Sequence, residues 1–170
     1  LLDRFPREFF QLHTMINTPE AGRDSFRKGL VGDLSGAEIM DAVKRGLLWI
    51  NLRNANQHLP EYAALCDAMF GEMDARTPGV RTMKRDVGVL ISSPKARVFY
   101  HLDIPLVTLW QIKGEKTMYL YPTGADFAPD EQIEAIVMRE TEEEIAYDPS
   151  FDDSAQKIVL TPGVMANWPQ

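Results

Sequence analysis

Two side chains in this sequence stand where they could share one metal ion. They are His101 and Asp103, in the run Phe99-Tyr100-His101-Leu102-Asp103. On an extended strand, residues two apart point the same way, so the imidazole Nε2 and the carboxylate can converge. A histidine and a carboxylate are two of the three donors of the two-histidine-one-carboxylate facial triad, which leaves positions open on ferrous iron. With three histidines and 25 acids in the chain, one such pair is an ordinary chance event, so the weight falls on its context. Downstream, Val107, Leu109 and Gln111 share one face of a strand, and Thr108, Trp110 and Ile112 the other. The first set is expected to face inward, and plain core packing fits Val107 and Leu109. His13 and His58 lack ligand spacing and read as ordinary, and Trp49, Trp110 and Trp168 read as core.

These residues need elements to position them. Ser35 and Glu38 form a capping box ahead of Ile39, Met40, Val43 and Leu47 at helical spacing, with Gly46 as the stop. Leu47 to Leu52 reads as a strand. Pro60 opens a second helix, whose apolar face holds Tyr62, Leu65, Cys66, Met69, Phe70 and Met73. Residues 1–76 are therefore expected to be a mainly helical segment packing on a barrel, and 77–170 the barrel itself. Short β-rich runs follow at Val80 to Met83, Val87 to Ser92 and Val98 to His101. Val107 to Ile112 and Thr117 to Tyr121, joined by Lys113-Gly114-Glu115-Lys116, read as a hairpin with glycine in its turn. Pro129 to Glu140 reads as a helix with an acidic start, and Thr141 to Glu144 as a solvated charge run. Lys157 to Leu160 and Val164 to Trp168 read as strands around the turn Thr161-Pro162-Gly163. The expected class is α+β with a β-sandwich or jelly-roll core.

The 170 residues suit one domain, and 45% hydrophobic residues can supply its core. A net charge of −7 gives no domain-wide basic footprint, which argues against non-specific nucleic-acid binding. Cys66 is the single cysteine, so there is no intrachain disulfide and no cysteine zinc cluster. That fits a reducing, cytoplasmic compartment. The apolar runs are too short for a membrane helix. The chain begins at Leu1 and stops at Gln170 without a polar tail, and is expected to be part of a longer protein, with the C-terminal end of the barrel missing.

In order along the chain stand His101-Leu102-Asp103, Gln111-Ile112-Lys113-Gly114-Glu115-Lys116, Leu120-Tyr121-Pro122, and Pro162-Gly163 ahead of Val164 to Pro169. This succession resembles the jumonji-type (JmjC) cupin-like oxygenases, most closely their asparaginyl-hydroxylase-like branch. Trp49 to Asn56 also looks like the lead-in of bacterial proteins of this type. The resemblance covers roughly residues 45–170. It implies a cupin-type double-stranded β-helix (jelly roll) and an Fe(II)- and 2-oxoglutarate-dependent dioxygenase of the hydroxylase type. It implies that His101 and Asp103 bind the iron and that Lys116 binds the distal carboxylate of 2-oxoglutarate, with Leu109 and Gln111 beside this cosubstrate. A dicarboxylate held in an apolar interior needs a cation, and lysine offers a compact one on a long stem. Lys113, in the same turn, is assigned to solvent.

The sequence departs from the family in three ways. The distal histidine ligand is not in the chain, and is expected beyond Gln170. The family's Pro-Gly-Asp is Pro162-Gly163-Val164 here. The position three before the metal histidine, often a threonine, is Val98, for which Ser92 or Thr108 could compensate. A non-catalytic cupin-fold module that binds a metal or small molecule, or regulates, is the alternative reading. A protein, peptide or small-molecule substrate, no membrane partner and a homodimer formed through helical segments complete the expectations.

Overall fold

The structure is a computed structural model and describes residues 1–15, 26–79, 81–103, 107–142 and 145–168. Helix α1 (Gly36–Arg45) begins where the capping box puts it: Ser35 Oγ accepts from the Glu38 amide, and Glu38 Oε2 accepts from the Ser35 amide at 2.8 Å. Its first residue must be glycine. The Gly36 amide donates to Asp3 Oδ1, and a Cβ added there would come within 2.6 Å of the same carboxylate. Gly46 ends the helix from an extended backbone, φ −106°, with no left-handed turn.

The chain forms two compact units, Leu1–Val98 and Phe99–Gln170. The first holds four antiparallel strands: β1 (Phe10–Thr14), β2 (Arg27–Gly29), β3 (Leu48–Leu52) and β4 (Val89–Ser92), in the order β2-β1-β3-β4. Pairing of Phe10 with Leu52, Leu12 with Ile50 and Ile50 with Ile91 gathers the apolar alternation on one face. Ile50 and Leu52 are fully buried there, in one core with Leu2, Phe5, Phe10, Val31, Ile39, Val43, Ala55 and Leu59. Burying a side chain of that size is worth roughly 1.5–3 kcal/mol. Helices α2 (Ala55–His58) and α3 (Pro60–Arg76) follow, α3 opening with Pro60 in its first turn.

The expectation of a mainly helical segment 1–76 missed this sheet. β1 alternates, Phe10 and Leu12 against Gln11 and His13, but over only four residues, and β2 is three residues, Arg27-Lys28-Gly29, with no apolar side chain. The unit break falls at Val98/Phe99 instead of residue 76, because β4 pairs back onto β3. On α3 only Cys66 is buried, and Leu65 and Met73 are exposed, so the apolar face is narrower than the spacing suggested. Val80 lies outside the described residues, and Arg81 to Met83 form no strand.

The second unit contains β5 (Val107–Trp110), β6 (Lys116–Leu120), helix α4 (Asp130–Val137), a 3-10 helix (Pro149–Ser154), β7 (Gln156–Leu160) and β8 (Met165–Trp168). β7, β8 and the turn between them form as expected: Val164 N donates to Thr161 O at 2.9 Å, with Gly163 at φ +90°. The hairpin across residues 113–116 does not form. β5 pairs with β8 and β6 with β7, all antiparallel. The nested pairing makes one long ribbon, with 107–120 as one arm, 156–168 as the other, and α4 within the closing segment. Between its stretches, residues 111–115 on one arm stand against 161–164 on the other, a one-residue excess of the kind that bends a ribbon. Gly114 and Gly163, both at positive φ, sit in that bend. Gln111 N donates to Val164 O and Gly163 N to Gln111 O, so the bend is cross-linked. These bonds hold β5 to the far arm, which is why the local glycine turn does not close a hairpin.

The fold is thus α+β with antiparallel sheets, and among the described residues no barrel closes. No described helix is long and apolar enough to cross a membrane. Glu143 and Glu144 of the expected charge run lie outside the described residues; Thr141 and Glu142 are exposed.

Candidate functional site

Residues 99–103 do not form the expected strand. His101 makes an isolated bridge, and its neighbours are irregular. The segment is held by its alternate residues. Tyr100 donates its hydroxyl to the Phe127 carbonyl at 2.9 Å and packs edge-on to Tyr121 at 4.8 Å, beside Tyr147 and Phe151. Tyr121 in turn donates to Asp152 Oδ1 at 2.8 Å, and burial together with that carboxylate pushes its pKa up. With Tyr100 tied into this aromatic cluster, Phe99, His101 and Asp103 are left to meet one another. Tyr100 was missed in the sequence; its signal was its place directly before the first candidate ligand.

His101 Nε2 lies 3.7 Å from Asp103 Oδ1, and the side chains are 32% and 27% exposed. That separation exceeds a hydrogen bond. It suits two donors of one ion, because nitrogen and carboxylate oxygen bind a first-row divalent metal at about 2.0–2.2 Å each, so a shared ion requires a gap under about 4.3 Å. His101 Nδ1 is 2.8 Å from the Phe99 carbonyl. A carbonyl can only accept, so Nδ1 carries the proton and Nε2 presents its lone pair, as in metal-bound histidines.

Lys116 opens β6 opposite Leu160, which is fully buried. It shares the less exposed face of β6 with Met118 and Leu120, whereas Lys113 is exposed in the bend. Burial holds the Lys116 ammonium below the usual lysine pKa, and no carboxylate pairs with it among the described residues. A half-buried, unpaired cation is costly unless something anionic meets it. No ion pair joins it to Asp103.

Leu109 lies on the less exposed face of β5, across from Ala166, while Thr108 and Trp110 face outward. The alternation read from the sequence therefore holds, but Trp110, 43% exposed, is not core. Gln111 turns its amide back onto the Lys113 carbonyl at 2.8 Å, so its side chain serves the bend. Of the two stand-ins for the missing threonine, Thr108 Oγ1 accepts from Asn167 on the exposed face of β5, and Ser92 ends β4. Among the described residues, no group of three or more histidine, cysteine or acidic side chains is gathered as a metal site. No family model, curated protein or solved structure matches this chain.

Proposed function

We propose that the protein is an Fe(II)- and 2-oxoglutarate-dependent oxygenase of the hydroxylase type, with a cupin-type jelly roll as its core. The observation that carries the reading is the His101–Asp103 pair, two donors 3.7 Å apart with the imidazole tautomer set by a backbone carbonyl. The bent antiparallel ribbon of β5 to β8 supports the jelly-roll part, since that architecture winds long paired arms around glycine-bearing corners. The motif order His101-x-Asp103, then Lys116, supports the family.

Iron bound by His101, Asp103 and a further donor would supply dioxygen activation coupled to conversion of 2-oxoglutarate to succinate and carbon dioxide, with one oxygen atom entering a substrate C–H bond. The chain's own residues have simpler tasks. Phe99 O orients the His101 ring. Asp103 contributes negative charge that offsets the ion's. Lys116, already desolvated, gains an anionic partner when a dicarboxylate binds. Leu109 and Met118, on the less exposed faces of their strands, keep water from the reacting groups.

The test is succinate formation from 2-oxoglutarate with Fe(II) and ascorbate in the full-length protein. Asp103→Ala is expected to abolish turnover, and Lys116→Ala to raise the KM for 2-oxoglutarate at least tenfold, about 1.4 kcal/mol. Wild-type rates in either variant would sink the assignment. The absence of a three-donor cluster among the described residues favours a second reading, a cupin-fold module that binds a metal or small acid without turnover. Tight metal binding with no 2-oxoglutarate-dependent succinate would select it.

A further inference from the structure

The first unit carries a cleft of its own, remote from these groups in sequence and different in chemistry. β-Sheet register creates it. With Phe10, Leu12, Ile50 and Leu52 turned to the core, the alternate residues Gln11, His13, Trp49 and Asn51 take the opposite face, and Lys28 joins them opposite His13. At one end of that face, Phe9, Arg53, Asn54 and His58 complete a cleft of about 290 Å³ with Gln11, Lys28, Glu8 and Phe10. That is close to the lower size of small-ligand pockets, about 300 Å³.

Its charge runs against the molecule's. The chain carries −7, yet the cleft lining has two permanent cations, Lys28 and Arg53, and one carboxylate, Glu8. Neither cation forms an ion pair or hydrogen bond with a described residue. Arg53 does act electrostatically on Asp86, which lies outside the lining. Beside the cations stands an aromatic platform. His58, which the sequence left as ordinary, stacks on Phe9 at 4.1 Å and meets Phe5 edge-on at 5.3 Å. This fixes the Phe9 ring while leaving it 47% exposed. Gln11 adds an amide able to donate or accept, while the Asn54 amide nitrogen donates to Asp86 Oδ2 at 2.7 Å.

We infer that this cleft binds a small organic anion bearing a planar ring, of the nucleoside monophosphate class. Arg53 and Lys28 hold the anionic group, since charge-assisted bonds to phosphate are the strong ones. The open face of Phe9 takes the ring by stacking. The amide of Gln11 meets the polar atoms between. Nothing in this assignment depends on iron or on 2-oxoglutarate.

The probes are AMP, adenosine and inorganic phosphate, titrated calorimetrically at low salt into the 170-residue chain. AMP is expected to bind saturably, at least tenfold more tightly than either fragment, and to weaken as salt rises. Arg53→Gln and Lys28→Gln should each weaken AMP about tenfold, the scale of one charged hydrogen bond. Phe9→Leu should weaken AMP and leave phosphate affinity unchanged. Thermal melts of each variant establish that it is folded, and amide NMR shifts on AMP addition should centre on Phe9, Arg53, Asn54 and His58. No saturable AMP binding to folded wild-type protein overturns the proposal. So does AMP affinity no better than phosphate, or wild-type affinity in the two charge variants.

Discussion

The two units are held together by different means. Leu1–Val98 packs α1 and a four-stranded sheet around a core in which Phe5, Ile50 and Leu52 are almost wholly out of water. Its buried Ser93 is tied in twice, as Oγ donates to Val43 O and accepts from Leu48 N. Phe99–Gln170 has few fully buried side chains, among them Ile136, Ile145 and Leu160, and its β-structure is a ribbon two strands wide. Its outer face leaves Trp110, Ile112 and Met165 largely exposed. Two-stranded ribbons are marginal alone. The difference teaches where chemistry can be kept. A dense core leaves no room for an unpaired ammonium, whereas a loosely covered ribbon can hold Lys116 half-buried.

The largest effect should come from the dense unit. Leu52→Ala is expected to cost about 2–5 kcal/mol in denaturant unfolding, the range for large-to-small changes in a packed core. Leu109→Ala, at a half-buried ribbon position, should cost clearly less, about 1–2 kcal/mol. Equal losses would erase the contrast. Native-state hydrogen exchange sharpens it at the level of single amides: those of β3 should exchange far more slowly than those of β5 and β6, because local opening is easiest where few apolar contacts close over the backbone.

A smaller effect follows at α1. Ser35→Ala removes the side-chain acceptor of the capping box and should cost about 1 kcal/mol, read as a lowered Tm. The capping box was legible because all its determinants lie within four residues. The same holds for Pro60 opening α3, for the turn at Thr161 to Gly163, and for the alternation that put Leu109 inward. The pair His101–Asp103 was legible as well, although the strand invoked to align it did not form. Side chains two residues apart meet here in an irregular segment whose preceding residue, Tyr100, is anchored to the Phe127 carbonyl. Gln111 donates its amide to the Lys113 carbonyl, a partner that the strand alternation did not indicate.

The smallest effect concerns Lys116 and pH. Its folded-state pKa lies below its unfolded one. Between the two values the unfolded chain binds more protons, so stability rises with pH across that window. Below both values the two states are protonated and the desolvation cost is fully present; above the unfolded value, about 10.4, it is gone. Lys116→Met should therefore raise Tm near neutrality, with the gain shrinking as pH climbs toward 10 and beyond. A gain independent of pH would mean the ammonium is not desolvated, and the ribbon would lose its one claim to an unpaired interior cation among the described residues.

By itself the sequence determined what contacts between near neighbours can set: the helix start at Ser35, the helix opened by Pro60, the turn at Gly163, the faces of the β-rich runs and the candidate pair at 101 and 103. Only the tertiary structure decided which strands pair. It joined β5 to β8 and not to β6, built a sheet with β1 and β2 where no strand was expected, and moved the unit break to Val98. The reason is physical. Helix caps and turns are settled by hydrogen bonds spanning three or four residues, whereas strand pairing is a competition among distant segments, settled by which register buries the apolar face.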